Sequence, residues 1–408
     1  MNTSIVKSSS YVFLAKLLKL SISLGTGIFL ARWLQPEGRG VYSLITQFHL
    51  MTVAFSGMSI GYATIHFSGD NRYSAAEQVS NSVFSAIIFS ILPCSLVILS
   101  YSKINALLSL DKSIFLLIAI LIPISILDSS LRAVLQSKYR FVWLNLLDII
   151  QITVLGVGLI VGYFFLKASI VHAIVIWSIS LCLPFFILLR MVSSVTHLSF
   201  KFDREIFKKH FQFGLKAHLS TVIGLLSLRF DQYLLGYLTN AAEVGKYSVA
   251  VSMSELLWHI PSSVSFVLLP RMAQAGKKES VFIVKRTCLW VFIILFVSAL
   301  ILAIGAKPLI HYAFGDSYRA SIEALWLLLP GVIAVGITTV TTPYFLGRLG
   351  KPHLGAFVAA ISLTTNLLLN LLLIPRLGMN GAAISASISY CFATILNLYL
   401  FYKSCSQK

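Results

Sequence analysis

Twelve long apolar runs decide what this chain of 408 residues can fold into. They lie near 10–33, 41–67, 80–101, 114–135, 141–166, 169–190, 213–238, 246–269, 281–306, 322–346, 353–374 and 381–402. A helix needs about 20 apolar residues to cross the hydrocarbon core of a bilayer. The runs are continuous rather than short segments of period two, so they predict helices and argue against a barrel. Only 11% of residues are charged, against roughly 25% in an ordinary soluble protein. With 57% hydrophobic residues, the chain is neither a soluble fold nor disordered. The first run is too long for the core of a cleaved signal peptide. The longest connection, about 191–212, is too short to house a soluble domain.

The net charge of +18 comes from 32 basic and 14 acidic residues. In a soluble protein that excess would suggest nucleic acid. Here the basic residues are scattered between apolar runs, so no nucleic-acid partner is expected. With the N-terminus inside, nineteen basic residues fall on inner connections and nine on outer ones. This bias predicts an even number of spans with both termini in the cytoplasm. The remaining four, Lys16, Lys19, Lys216 and Arg229, fall within spans.

At an offset of 205 the chain repeats itself: Gly40-Val41-Tyr42-Ser43 returns as Gly245-Lys246-Tyr247-Ser248. Each motif follows a short outer turn after the first span of its half. Six plus six spans of equal orientation predict an all-α integral membrane fold, with twelve transmembrane helices in two six-helix lobes. The lobes, 1–200 and 201–408, would be related by a parallel pseudo-two-fold repeat. Two bundles with a cleft are the architecture of an alternating-access carrier.

A charge inside the bilayer costs several kcal/mol unless it meets water or a partner. Lys16 and Lys19 share a face of the first span, and Lys216 and Arg229 lie on its repeat partner. Two equivalent helices thus bring cations into the membrane, which suits an anionic substrate such as a lipid pyrophosphate. Arg229 and Asp231 point to different faces, so Arg229 is open to a partner on another span. Asp128 and Arg132, four apart, read as an ion pair within one helix. Asp148, Asp231, Glu255 and His259 are candidates for ion coupling, with polar glue between helices as the competing reading.

Other signals are structural. The five cysteines show no paired spacing, so no disulfide or metal site is expected. Gly156, Gly158 and Gly162 lack a preceding strand and read, with Gly57 and Gly61, as close helix packing. No nucleotide-binding loop, zinc motif or nucleophile elbow occurs, so neither a cofactor nor enzymatic chemistry is expected. Pro93, Pro123, Pro184, Pro261 and Pro330 mark kinks or breaks within spans.

Three stretches carry a resemblance to a known family. They are Leu30-Ala31-Arg32-Trp33-Leu34-Gln35-Pro36-Glu37-Gly38-Arg39-Gly40-Val41-Tyr42, then Arg229 to Gly236 continuing to Glu243-Val244-Gly245-Lys246-Tyr247-Ser248, then Ile374-Pro375-Arg376-Leu377-Gly378-Met379-Asn380-Gly381-Ala382-Ala383-Ile384-Ser385. The sequence resembles the O-antigen-type polysaccharide flippases of the multidrug/oligosaccharidyl-lipid/polysaccharide exporter superfamily. The resemblance implies transport of an undecaprenyl-pyrophosphate-linked oligosaccharide from the cytoplasmic to the periplasmic leaflet of the bacterial inner membrane. It also implies a cationic cavity to which Lys16, Lys19 and Arg229, with Lys216, are assigned. The polymerase and chain-length machinery of such a pathway are the implied protein partners. Peptidoglycan-precursor flippases of the same superfamily have two further spans, which argues against that branch. A cation-coupled drug antiporter is the alternative, ranked lower because the deep charges here are mainly basic. A glycan polymerase ranks third, since no large external loop is present.

Overall fold

The computed structural model describes residues 3–68, 73–99, 101, 112–138, 140–165, 169–196 and 202–406. It is all-helical among the described residues. The helices are α1 (Thr3–Ser56), α2 (Ile60–Ser68), α3 (Ala75–Leu99), α4 (Lys112–Ser137), α5 (Phe141–Phe165), α6 (Ile170–Val195), α7 (Arg204–Leu238), α8 (Ala241–Glu255), α9 (His259–Gln274), α10 (Lys277–Leu309), α11 (Ser321–Pro343), α12 (Pro352–Leu377) and α13 (Met379–Ser406). Eight helices among the described residues are long and apolar enough to cross a membrane. The chain forms two compact units: Met1–Leu34 with Ile45–Val222, and Gln35–Leu44 with Ile223–Lys408.

In the first unit, α3 packs on α4, α4 on α2 and α6, and α5 on α6. One centre of packing joins Val79, Leu131, Val134, Leu147, Phe185 and Leu188. Lipid tails are as apolar as leucine, so close approach matters more here than burial of area. The predicted glycine packing is present at Gly61, Gly156, Gly158 and Gly162, whereas Gly57 lies in the turn that follows α1. A Cβ on Gly156 would sit 2.8 Å from Thr26 Oγ1, and one on Gly158 would sit 2.6 Å from Ile176 Cγ2. Gly61 lies against Ser129 and Ala133. Buried hydroxyls cannot bond water, so Ser130, Ser178 and Thr64 donate to carbonyls four residues back in their own helices.

The expected outer turn at 33–39 is a kink rather than a loop. Gln35 alone leaves helical geometry, at φ 55° and ψ 175°, and the helix resumes at Pro36. The residue before a proline is excluded from the helical region, while proline suits a first helical position. The second expected span, 41–67, is instead broken. It stops at Ser56, reverses through Met58 and Ser59 at φ 46° and 49°, and restarts as α2.

In the second unit, α11 packs on α8, α9, α10 and α13, and α12 packs on α13. A polar seam joins α11 to α13. The Gly331 amide donates to Ser387 Oγ at 3.2 Å, Thr338 and Thr394 hydroxyls meet at 3.0 Å, and Thr341 bonds Asn397. The constant separation of 56 residues in these pairs makes the two helices parallel. The eighth expected span, 246–269, is tightened by a 3₁₀ turn without leaving helical geometry. α8 ends at Glu255, a 3₁₀ turn covers Leu256–Trp258, and α9 follows. Pro261 falls in the first turn of α9, where its missing N–H costs no helical bond. Pro93, Pro123, Pro184 and Pro330 lie inside α3, α4, α6 and α11.

The repeated motif forms a reciprocal contact inside this unit. A Cβ on Gly40 would lie 1.6 Å from the Ala241 carbonyl oxygen, and one on Gly245 would lie 1.8 Å from that of Pro36. Positions 36 and 40 become 241 and 245 under the 205-residue offset, so each contact is the image of the other. Only glycine permits both. Arg39 Nε donates to Ser248 Oγ at 3.3 Å and Ser43 Oγ donates to Gln232 Oε1 at 3.1 Å across the same crossing.

Candidate substrate and ion site

Lys19 on α1 does not stand alone. Its Nζ donates to Asp148 Oδ2 on α5 at 2.8 Å. The other oxygen of Asp148 accepts from Arg132 Nη1 at 2.8 Å, and Arg132 Nε donates to Asp128 Oδ2 at 2.6 Å. Two cations and two carboxylates from α1, α4 and α5 thus form one chain in the first unit. The expected Asp128–Arg132 pair is present, and Asp148 ties it to Lys19. The Lys19 side chain is 49% exposed while Arg132 is 22% exposed. The open end of the chain is therefore the lysine.

Arg132 belongs to this charged group, although sequence reasoning placed it on an inner connection. The signal that identifies it is the i,i+4 spacing to Asp128 together with an apolar surround. Its second partner, Asp148, is 16 residues away and no local pattern announces it.

In the second unit Arg229 turns its fork to Glu255. Nη1 lies 2.8 Å from Oε1, and Nη2 donates to Oε2 at 3.2 Å. A paired fork of this kind is stronger and more directional than a lysine contact. Asp231 points the other way, as the two-residue spacing requires. It is buried, accepts the Tyr247 hydroxyl at 2.6 Å and accepts the Gln232 amide at 2.8 Å. Tyr247 belongs to the repeated motif, so the motif both makes the helix crossing and holds a buried carboxylate.

Glu255 is the last residue of α8, at the start of the 3₁₀ turn. His259 opens α9 and is exposed. The 3₁₀ turn between them replaces the continuous helix that would have stacked the two side chains, and among the described residues no bond joins them. Lys16 on α1 and Lys216 on α7 lie outside the residues whose side chains the structure describes.

The first unit has a sharper interruption. At Gly57–Ser59 the chain leaves α1 for α2, and Gly214 of α7 approaches so closely that a Cβ there would lie 2.3 Å from the Met58 carbonyl oxygen. Irregular backbone at membrane depth is tolerated only where protein or a wet cavity covers it. Interrupted helices at corresponding places in two halves are the best sequence-readable pointer to a carrier's binding region. Here the chain leaves α1 after residue 56 and tightens after residue 255, within the second and eighth expected spans though not at equivalent positions of the 205-residue offset.

Comparison with known proteins agrees with this architecture. Over 96% of the chain and 87% of the other, the fold matches the lipid II flippase MurJ in an inward closed conformation, at a TM-score of 0.83 and 14% identity. It matches an inward-facing multidrug resistance MATE transporter of the MOP superfamily over 96% and 98%, at a TM-score of 0.73 and 16% identity. These likenesses show a membrane-transporter fold. By sequence, the chain is 26% identical to a Shigella flexneri protein named "Putative O-antigen transporter" over 99% of both chains. It is 23% identical to the Haloferax volcanii "Probable low-salt glycan biosynthesis flippase Agl15", over 97% of this chain and 83% of that one. Residues 5–276, well over half of the sequence, match the family of polysaccharide biosynthesis proteins, and the chain belongs to that family.

Proposed function

We propose that this protein is a flippase, not an enzyme, that carries an undecaprenyl-pyrophosphate-linked oligosaccharide across the bacterial inner membrane. The observation that carries this reading is end-to-end similarity, over 99% of both chains, to a protein named for O-antigen transport. Twelve spans in two six-helix lobes of 1–200 and 201–408, both termini cytoplasmic, complete the proposal. The reciprocal Gly40–Ala241 and Gly245–Pro36 contact supports the two-fold repeat. The drug-antiporter alternative shares the fold, but no feature of the charged groups favours a cationic drug.

The geometry suggests how the cations would serve. At rest Lys19, Arg132 and Arg229 are each occupied by a carboxylate. An arriving pyrophosphate offers more acceptor oxygens than Asp148 or Glu255 and would exchange with them. The released carboxylate would then take up a proton or a small cation, which links substrate binding to ion coupling. Asp148 and Glu255 are the coupling residues in this scheme. Asp231 holds Tyr247 and His259 is a secondary candidate. Lys16 and Lys216 extend the cationic set on the same two helices. Polymerase and chain-length proteins of the same pathway would receive the product.

The test is genetic and biochemical. Deleting the gene should trap the lipid-linked glycan in the cytoplasmic leaflet. Normal export with altered drug sensitivity would transfer the assignment to the antiporter branch. Single repeat units accumulating outside would indicate a polymerase.

A further inference from the structure

The most apolar window of α10 is only 17% buried, so most of that helix faces lipid. At its C-terminal end the regular helix gives way. A π turn covers Ile310–Phe314, Gly315 reverses at φ 96°, and a 3₁₀ turn covers Asp316–Tyr318 before α11 starts. This detour opens a hollow of about 880 Å³ lined by Lys246, Lys307, Asp316, Arg319, Glu323 and Trp326, among others. A second hollow of about 410 Å³ shares Lys307 and Trp326 and adds Ala303, Ile304 and Leu329. Both hollows are mainly apolar, and the first adds the charged side chains at the helix ends.

Trp326 is fixed at the junction by a bond from its Nε1 to the Ala303 carbonyl at 3.0 Å. Lys307 Nζ lies 5.7 Å from the centre of its ring. Tryptophan with lysine at such a place is an interfacial anchor. Two lining charges are already committed, Lys246 to Glu243 at 3.1 Å and Asp316 to His311 at 2.6 Å. Among the described residues Lys307, Arg319 and Glu323 form no ion pair. The hollow therefore offers two free cations, one free carboxylate and an apolar trough beneath them. A purely anionic headgroup would meet Glu323, and a purely cationic one would meet Lys307 and Arg319. A headgroup that carries a phosphate and a primary ammonium satisfies all three.

We propose that this hollow binds a zwitterionic phosphoglyceride of the ethanolamine class. Lys307 and Arg319 take the phosphate, Glu323 takes the ammonium, and an acyl chain lies against Ala303, Ile304 and Leu329. The inference does not rest on the transport reading. All the residues belong to one unit, and none is in the charged groups described above.

Native mass spectrometry of the purified full-length protein tests it, with phosphatidylethanolamine, phosphatidylglycerol and phosphatidylcholine of identical chains titrated in turn. The ethanolamine lipid should bind about tenfold more tightly than the other two, the size of one charge-assisted contact. Glu323→Gln should abolish that preference, and Lys307→Gln should weaken all three lipids. Arg319→Gln repeats the phosphate test if Lys307→Gln fails to fold. Equal affinities, or an ethanolamine preference that survives Glu323→Gln, would overturn the proposal. So would tighter binding of phosphatidylglycerol or of a polyprenyl pyrophosphate, lost in Lys307→Gln, because the pocket would then be an anionic-lipid site.

Discussion

Arg229 and Glu255 illustrate what a single charge does inside a bilayer. Each is about three-quarters covered, so removing one strands the other. An uncompensated buried charge costs about 3 kcal/mol or more. Arg229→Ala should therefore lower the melting temperature of the purified protein more than the Arg229→Ala/Glu255→Ala double substitution does, a non-additivity that a double-mutant cycle reads directly. Both should abolish transport if the fork meets pyrophosphate. The first unit gives a second test. Asp148→Asn removes the link between Lys19 and Arg132 while leaving Arg132 on Asp128. Its protein should insert and fold, and its transport should lose dependence on the imposed proton or sodium gradient. Retention of a wild-type gradient response would remove Asp148 from coupling.

Much of this was legible residue by residue. The four cations that sidedness leaves over include the two that the structure describes in ion pairs, Lys19 and Arg229. Their partners were legible as candidate acidic groups but not as partners. Spacing along one helix gives Asp128–Arg132 directly, because i and i+4 share a face. Lys19–Asp148 spans 129 residues, and no local rule reaches that far.

At the scale of elements, the three stretches that resemble the flippase family prove to be devices for tight helix ends. The first is the Gln35–Pro36 kink. The second contains Tyr247 on Asp231 and Gly245 on Pro36. The third is the turn at Gly378, φ 56°, that joins α12 to α13. The second and third meet in one unit: Glu243 of the second stretch accepts the Met379 amide of the third at 3.3 Å while pairing with Lys246. Such motifs specify backbone approach rather than ligand contact. Gly245→Ala would drive a Cβ into a carbonyl oxygen, and overpacking of this kind costs about 1–3 kcal/mol. It should lower the melting temperature by several degrees. Gly305→Ala, with nothing within 4 Å of the added atom, should be neutral or stabilising by up to about 1 kcal/mol, the helix preference of alanine. Equal effects at the two sites would refute the packing account.

The whole molecule is a membrane transporter fold that keeps polar groups by pairing them. Cysteine accessibility at both ends of the chain tests the twelve-span proposal. Labels near residues 3 and 406 should react only from the cytoplasmic side, and opposite reactivity of the two would require an odd number of spans. The span interruptions were only half legible. Pro261 announced one on the eighth span. The other, at Met58 and Ser59, carries no proline and is held by the approach of Gly214, far along the sequence.

Hydrophobic length alone determined that this chain lives in a bilayer as helices, because a run of about 20 apolar residues has no other stable solution there. Charge asymmetry and the 205-residue repeat added an expected topology and an expected symmetry. The tertiary structure decided the rest: which carboxylates neutralise Lys19 and Arg229, where the second and eighth expected spans are interrupted, and which glycines the repeated motif needs. The reason is physical. Lipid imposes its demand on every residue locally, so it can be read along the chain. Ion pairing and close backbone contact depend on atoms brought within about 3 Å, and only folding brings residues so distant in sequence together.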